Sequence, residues 1–264
     1  MIRTWQITAR GTREIHLSNA SSLDEVTRQL PEGYYTTFRT YDSCTRVIGL
    51  KAHFNRLPNA DASLLRRSLR LLLEPYRPGE ARVRLMETKQ GRFYISIEPL
   101  KLPPPEVYER GVCVETVTLQ RTNPREKSTA FIGASEEERR KLVQRGIFEA
   151  LLVRNGRILE GMTSNFFYVL DGVLHTARRG ILLGVTRTMV IRAARGAGVE
   201  VRYKPLKLDQ LPAVKEAFIT SSSRGVVPVI QIDEVTVGEG RVGALTKQLS
   251  AAYEAYVRKK AETI

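Results

Sequence analysis

The order of hydrophobic and polar residues along the chain predicts short hairpins that alternate with helices. Residues 34–50, YYTTFRTYDSCTRVIGL, place aromatic and β-branched residues on both sides of the turn formers Asp42 and Ser43, which predicts a hairpin. Two strand-like runs at 81–87 and 92–98 flank a Gln-Gly pair and predict a second hairpin. Between these hairpins, leucines at helical spacing predict a helix whose apolar face comprises Leu64, Leu65, Leu69, Leu71, Leu72 and Leu73.

The second half of the chain has a more regular pattern. Ser135, followed by three glutamates, predicts an N-cap and a helix that runs to about Ala150. The Asn-Gly pair at 155–156 and the Asp-Gly pair at 171–172 each separate two apolar runs, which predicts two hairpins, the first with a type I′ turn. The remaining elements predicted here are a helix at 186–199, a strand at 216–220 and a terminal helix at 245–261.

Three consecutive prolines at 103–105 predict a boundary between two domains. Proline lacks a backbone N–H and fixes φ, so this run does not suit a helix interior or a central strand, but it suits a stiff extended connection. We therefore assign residues 1–102 to a small N-terminal domain and residues 103–264 to a larger C-terminal domain.

The composition is typical of a globular protein with a basic surface. The chain has 264 residues, of which 42% are hydrophobic, enough to bury a sizeable core. A net charge of +14 is compatible with nucleic-acid or small-anion binding. The basic residues are dispersed, however, and neither a run of five like charges nor a basic recognition helix occurs. We therefore expect no nucleic-acid partner.

Cysteine, histidine and hydropathy patterns exclude further classes. Cys44 and Cys113 lack CxxC spacing, which predicts neither a zinc site nor a disulfide framework and favours a reducing compartment. The N-terminus lacks the apolar segment of a signal peptide, and no stretch approaches the ~18 apolar residues of a membrane span. We expect a cytoplasmic protein without a membrane partner. His16, His53 and His175 show no metal-ligand spacing, so no metal site is predicted.

Four features carry candidate chemistry. The segment 184–186, Gly-Val-Thr, precedes a predicted helix and could present backbone N–H groups to an anion, and the serines at 221–223 add hydroxyl donors. Glu160 ends an apolar strand, where a buried carboxylate must be paired. Lys127 precedes an apolar run, and a lysine in apolar surroundings can act as a nucleophilic amine.

Each of these features also has a purely structural interpretation. Thr186 could be only an N-cap, and the serines at 221–223 only a turn. Glu160 could be an exposed strand end, and Lys127 one solvated lysine among many basic residues. The residue pattern alone therefore indicates an anion pocket, an acid and an amine, but no reaction.

Four strings of residues carry a resemblance to a known family. They are YYTTFRTY at 34–41, KAHFNRL at 51–57, EALLVRNGRILEGMTSNFFYVLDGVLHTARRGILLGVTR at 149–187 and EAFITSSSRGVVPV at 216–229. Together they closely resemble the class IV aminotransferases, also called fold-type IV pyridoxal 5′-phosphate (PLP) enzymes. The match spans roughly residues 33–260 in family order, and its E-G-x-x-S-N-F-F string followed by G-V-T-R is specific.

The resemblance implies PLP as cofactor and assigns roles by position. Lys127 would form the internal aldimine, and Glu160, 33 residues later, would keep the pyridine nitrogen protonated. The phosphate would be held by Arg56, Val185, Thr186, Ser221 and Ser222. These residue types suit the roles, because arginine presents a planar fork of donors to phosphate and a helix N-terminus favours an anion.

The resemblance also implies the fold and the assembly. The fold class would be α/β, a small α+β domain plus a larger α/β domain of the D-amino-acid aminotransferase-like type. The larger domain would carry Lys127. Members of the family are typically homodimers, and we expect a homodimer here on that ground.

The resemblance leaves the reaction open between family members. Branched-chain enzymes usually carry tyrosine and glutamate at the positions of Ile132 and Ser164, whereas the Tyr-Thr-Thr string at 35–37 and Ser164 are similar to some aminodeoxychorismate lyases. Transamination between an amino acid, possibly branched-chain, and a 2-oxo acid ranks first. The alternative is a lyase that releases pyruvate and 4-aminobenzoate from aminodeoxychorismate. A PLP-binding or basic interaction module without activity is the third interpretation.

Four residues are candidates for contact with substrate. Arg39, on the hairpin that resembles the family's specificity strands, could pair with a substrate carboxylate or form a structural ion pair. Tyr35 could form a wall of the pocket or belong to the core, and Thr37 and Ser223 complete the candidate set.

Overall fold

The computed structural model describes all 264 residues, and strands and helices are numbered along the chain. The strands are β1 Arg3–Thr8, β2 Gly11–Ile15, β3 Gly33–Tyr41, β4 Arg46–Val47, β5 Ala81–Thr88, β6 Phe93–Pro99, β7 Val112–Val117, β8 Glu149–Arg154, β9 Arg157–Gly161, β10 Asn165–Leu170, β11 Val173–Thr176, β12 Val201–Arg202, β13 Leu206–Lys207, β14 Glu216–Ser221, β15 Gly225–Ile232, β16 Val235–Thr236 and β17 Glu262–Thr263. The helices are α1 Leu23–Arg28, α2 Leu50–Phe54, α3 Ala62–Leu73, α4 Pro105–Arg110, α5 Ala130–Ala134, α6 Glu136–Gln144, α7 Val185–Gly196 and α8 Ala244–Lys260. Two short 3₁₀ helices cover Glu74–Tyr76 and Leu208–Ala213.

The contacts within the chain divide it into two units. The first unit comprises Met1–Leu102, Glu126–Ala134 and Lys259–Ile264. The second comprises Pro103–Arg125 and Ser135–Arg258. Each unit is built around one sheet.

The first unit is a seven-stranded antiparallel sheet with helices packed on it. The strand order is β17-β4-β3-β5-β6-β1-β2, so the two predicted hairpins, β3–β4 and β5–β6, lie side by side. Leu65, Leu69 and Leu73 of α3 are buried in the same core cluster as Val83 and Ile95. Since α3 presents one apolar face, this burial anchors it on the sheet.

The predicted apolar face of α3 contains one error. Leu71 is 64% exposed, whereas the next two residues, Leu72 and Leu73, are buried. A helix rotates each successive residue by about 100°, so a run of three leucines cannot lie on one narrow face.

The segment that carries Lys127 belongs to the first unit, whereas the sequence assigned it to the larger C-terminal domain. Its backbone pairs with the start of β3. The Tyr35 N–H donates to the Lys127 carbonyl at 2.9 Å, and the Thr129 N–H donates to the Gly33 carbonyl at 2.9 Å. The Gly33 N–H in turn donates to Thr129 Oγ1 at 3.0 Å. These long-range bonds leave no local signal, so the proline run alone could not reveal them.

The second unit contains a ten-stranded mixed sheet. Its order is β12-β11-β10-β14-β15-β7-β8-β9-β13, with β16 paired to β15. The β7–β8, β7–β15 and β11–β12 pairs are parallel. The predicted hairpins β8–β9 and β10–β11 are confirmed, and Asn155 and Asp171 adopt positive φ angles of 49° and 52° before their glycines, as the predicted tight turns require.

Helix α6 is shorter than predicted. It ends at Gln144, and Gly146 follows with a φ angle of +68°. Residues 149–150, which the prediction included in the helix, belong to β8. Ser135 precedes α6 but makes no side-chain capping bond. A left-handed glycine terminates helices readily, and this signal outweighed the helical composition before it.

None of the helices combines the length and the apolar composition that a membrane crossing requires.

The two leucines of α3 provide a stability test. Leu69→Ala is expected to lower the free energy of unfolding by about 2–5 kcal/mol, because Leu69 is fully buried and its removal leaves a cavity. Leu71→Ala, on the same helix, should change it by less than about 0.5 kcal/mol. Urea titrations followed by circular dichroism measure both. Equal losses would contradict the assigned helix face.

Candidate active site

Lys127 in the first unit lies beside an aromatic ring and an apolar cluster. Its Nζ is 4.9 Å from the centroid of the Tyr35 ring. Tyr35 packs in a cluster of buried residues with Met86, Tyr94 and Ile132. A cation over a ring face is attracted by the ring quadrupole, so Tyr35 holds the amine at a defined position. Ile132, where branched-chain enzymes usually carry tyrosine, is part of the same cluster.

Arg84 of β5 holds the same ring from within the unit. Its Cζ lies 4.6 Å from the Tyr35 centroid. The guanidinium donates to Thr37 Oγ1 at 3.1 Å, Asp24 Oδ1 at 2.7 Å and Thr27 Oγ1 at 2.8 Å. Burial lowers the pKa of Arg84 from its usual value. No motif in the sequence singled out Arg84.

Tyr35, Thr37, Arg39 and Tyr41 share one face of β3, because side chains alternate along a strand. The Arg39 guanidinium lies 4.5 Å from the Tyr41 ring centroid. Arg39 forms no ion pair, and its buried Nε has no hydrogen-bond partner. The structural ion pair considered for Arg39 is therefore absent, and its charge is available to an anion.

Arg56 follows the short helix α2, which also carries His53. The Arg56 N–H donates to the His53 carbonyl at 3.2 Å. The His53 ring is fully buried, with Nδ1 2.7 Å from Thr36 Oγ1. Burial above all, and then the charges of Arg56 and Lys127, hold the pKa of His53 well below its usual value. His53 is therefore a neutral ring that packs beside two cationic side chains.

Glu160 of β9 is a buried, fully paired carboxylate in the second unit. It is 2% exposed. Oε1 accepts from Arg121 Nε at 3.0 Å, and Oε2 accepts from Asn165 Nδ2 at 3.3 Å and from the Leu182 N–H at 3.0 Å. The interpretation of Glu160 as an exposed strand end is wrong. Charge-assisted hydrogen bonds of this number keep a carboxylate ionised despite burial.

The start of α7 forms the candidate phosphate site of the second unit. Gly184 is the N-cap, so Val185 and Thr186 occupy the first turn and Thr186 is not the cap residue. Thr186 Oγ1 lies 3.5 Å from Ser222 Oγ, at the border of hydrogen-bonding distance. A Cβ on Gly184 would overlap Asn165 Oδ1. Free N–H groups and two hydroxyls therefore converge at a helix N-terminus, which suits an anion.

Comparison with known proteins identifies the family. Residues 33–232 match the family described as "Amino-transferase class IV". A Methanocaldococcus jannaschii protein named "Putative branched-chain-amino-acid aminotransferase" is 30% identical over 252 residues, which cover 84% of this chain and 86% of that protein. The D-alanine aminotransferase of Bacillus licheniformis is 25% identical over 256 residues, covering 86% of this chain and 88% of the relative. A crystal structure from Thermotoga maritima, described in the same words as the first relative, has a TM-score of 0.78 at 27% identity and covers 97% of this chain and 96% of its own.

The chain belongs to the class IV aminotransferases. The predicted family, the fold-type IV architecture and the PLP dependence are thereby confirmed. The chain is a PLP-dependent enzyme, which excludes the interpretation as a non-catalytic module.

The residues of this class IV aminotransferase fit the cofactor. In the second unit, a buried carboxylate suits a protonated ring nitrogen, and the first turn of α7 with two hydroxyls suits a phosphate. In the first unit, an amine held against a ring beside apolar side chains suits attack on an aldehyde.

Three residues that support these groups were not selected from the sequence. Asn165 stands in the quoted S-N-F-F string, so its position was visible but its bond to Glu160 was not. Arg121 and Arg84 lie far from their partners in sequence and in no motif. Only the fold brings them together.

The Arg121–Glu160 pair is testable by stability. Arg121→Gln is expected to lower the free energy of unfolding by about 3–5 kcal/mol, because it removes a cationic donor from a buried carboxylate. Arg202→Gln, in an exposed ion pair with Glu200, is the matched control and should change it by less than about 1 kcal/mol. Urea titrations compare the two variants. An Arg121 variant as stable as the control would show that the pair is not needed.

Proposed function

We propose that this enzyme exchanges an amino group between a branched-chain amino acid and a 2-oxo acid. The observation that carries the proposal is the position of the Lys127 amine against Tyr35, in a cluster with Met86, Tyr94 and Ile132. Apolar surroundings of the amine suit a substrate with an aliphatic side chain, because binding would remove that side chain from water. The names of the Methanocaldococcus jannaschii and Thermotoga maritima relatives point to the same substrate class.

Lys127 and Glu160 are the proposed reacting and ring-binding residues. PLP, when bound, supplies a cationic ring that withdraws electrons from the substrate's Cα. The Lys127 amine would carry the cofactor and, once released from it, would remove the proton from Cα. The Glu160 carboxylate, fixed by three hydrogen bonds, would hold the proton on the ring nitrogen.

The phosphate is proposed to bind Arg56 and the start of α7. Val185 and Thr186 would donate backbone N–H groups, and the Thr186, Ser221 and Ser222 hydroxyls would add further donors. Such neutral donors orient a dianion, while the guanidinium of Arg56 supplies charge.

The substrate is proposed to contact the face of β3 that carries Tyr35, Thr37, Arg39 and Tyr41. Tyr35 would pack against the aliphatic side chain, and Arg39, which lacks an ion-pair partner, would attract a carboxylate. Thr37, held by Arg84, and Ser223 are the remaining candidates for substrate contact.

We also propose a homodimer in the cytoplasm. The homodimer follows from the family resemblance, and the location from the two cysteines, Cys44 and Cys113, which are both free. Light scattering on the purified protein tests the first proposal.

The purified enzyme, loaded with PLP, is tested with L-leucine, L-valine, D-alanine and aminodeoxychorismate in turn. We expect L-leucine and L-valine to convert the cofactor to its amine form, because aliphatic side chains suit the apolar surroundings of the amine, and a 2-oxo acid to restore it. Visible spectra and detection of the 2-oxo acid product measure both. Release of pyruvate and 4-aminobenzoate from aminodeoxychorismate alone would identify the lyase instead.

Lys127→Ala is the control for this experiment. It should abolish turnover, and borohydride should fix the cofactor on Lys127 of the wild-type enzyme but on no residue of the variant. Substantial residual turnover in the variant would rule out the proposed role of Lys127.

Glu160→Gln tests the ring-nitrogen partner. The variant should retain PLP but lose the stabilised ring proton, so removal of the proton from substrate Cα should slow on the order of 100-fold. Single-turnover kinetics with Cα-deuterated L-leucine isolate this step. An unchanged rate would remove Glu160 from the mechanism.

A further inference from the structure

The Ser221 hydroxyl is committed by its neighbours to act as a hydrogen-bond donor. Its Oγ accepts from the Arg224 backbone N–H at 3.3 Å and from Arg224 Nε at 3.1 Å. A serine hydroxyl has two acceptor lone pairs and one proton. With both lone pairs in use, its proton is left to donate, and no protein atom accepts it.

Arg224 is itself fixed by a buried acid. Its NH2 group donates to Glu149 Oε2 and to Thr163 Oγ1, both at 2.7 Å, and its Cζ lies 5.2 Å from the Phe148 ring centroid. The Glu149 side chain is 3% exposed and that of Arg224 is 20% exposed. The planar guanidinium therefore has its Nε aimed at Ser221 while its far end is held by the acid.

The Glu149 carboxylate is fixed in turn. Its Oε1 accepts from the Thr163 N–H at 2.7 Å, and Thr163 Oγ1 approaches both carboxylate oxygens. Next to Arg224, Gly225 adopts a φ angle of +70°, and a Cβ there would lie 3.2 Å from Tyr253 Cε1. The turn thus has little freedom to reorient Ser221.

We propose that Arg224 is a positioning residue that makes Ser221 a dedicated donor to an oxyanion. This inference rests on the proposed function, in which Ser221 belongs to the phosphate site. The oxyanion is either the cofactor phosphate or the substrate carboxylate. Because Glu149 neutralises Arg224, the arginine acts through the orientation of Ser221 rather than through its own charge.

The first experiment titrates the apoenzyme with PLP and with pyridoxal, which lacks the phosphate. If Ser221 serves the phosphate, Arg224→Gln and Ser221→Ala should each weaken PLP binding about tenfold and leave pyridoxal binding unchanged. The double variant should bind PLP no more weakly than Ser221→Ala alone, because Arg224 acts only through that hydroxyl.

The second experiment tests the other candidate oxyanion, the substrate carboxylate. If Ser221 serves the substrate carboxylate, both variants should keep wild-type PLP binding. Their KM for L-leucine should rise about tenfold with little change in kcat, while a primary amine without a carboxylate should react as it does with the wild-type enzyme. Non-additivity in the double variant is expected here too.

Arg224→Lys is the control for the case in which Arg224→Gln misfolds. Lysine keeps a cation beside Glu149 but removes the side-chain donor to Ser221, so it should reproduce the binding loss with a wild-type unfolding curve. Additive losses in the double variant, equal losses for PLP and pyridoxal, or no loss in either experiment would overturn the inference.

These outcomes are distinguishable from failure of the proposed function. A wild-type enzyme that does not take up PLP on Lys127 would contradict the proposed function. A wild-type enzyme that does so, with Arg224 variants that behave like it, would contradict the role of Arg224 alone.

Discussion

The burial of one carboxylate organises the second unit. An ionised group at 2% exposure is stable only when donors replace the water that it has lost. Glu160 accepts hydrogen bonds from Arg121 in the segment after β7, from Asn165 on β10 and from the backbone N–H of Leu182. Three segments of the chain are thereby tied to one acid. The loop that Leu182 belongs to leads directly into α7, so the same constraint fixes where the helix N-terminus begins.

The first unit holds a lysine, Lys127, beside apolar side chains. The segment around Lys127 pairs with β3 through backbone bonds, so the position of the side chain does not depend on its own charge. The start of β3 also lies close to β5, because a Cβ on Gly33 would overlap the backbone carbonyl of Glu87. The Tyr35 ring then provides an attractive surface that is itself apolar.

What the sequence predicts and what it misses follow from the range of each interaction. The hairpins at Asn155 and Asp171 depend on backbone preferences of two adjacent residues, and they were predicted. The β1–β2 hairpin was not, because β2 is mostly exposed and lacks an alternating apolar pattern, and the central strand β7 was not, because its partners β8 and β15 lie elsewhere in the chain. The same reason hides Arg84 and Arg121. Lys127 and Glu160 were found through a resemblance to a family, whereas the residues that hold them in place required the fold.

The arginines of this basic chain have a common use. Arg84 holds the Tyr35 ring and Thr37, Arg121 holds Glu160, and Arg224 holds Ser221. Each one bonds to an acid and to at least one neutral acceptor, so its charge is largely neutralised within the protein. What remains is a rigid planar fork that fixes the direction of a neighbouring group. Lysine offers the charge without the fork, and so the composition itself, rich in arginine, is suited to positioning as much as to attraction of anions.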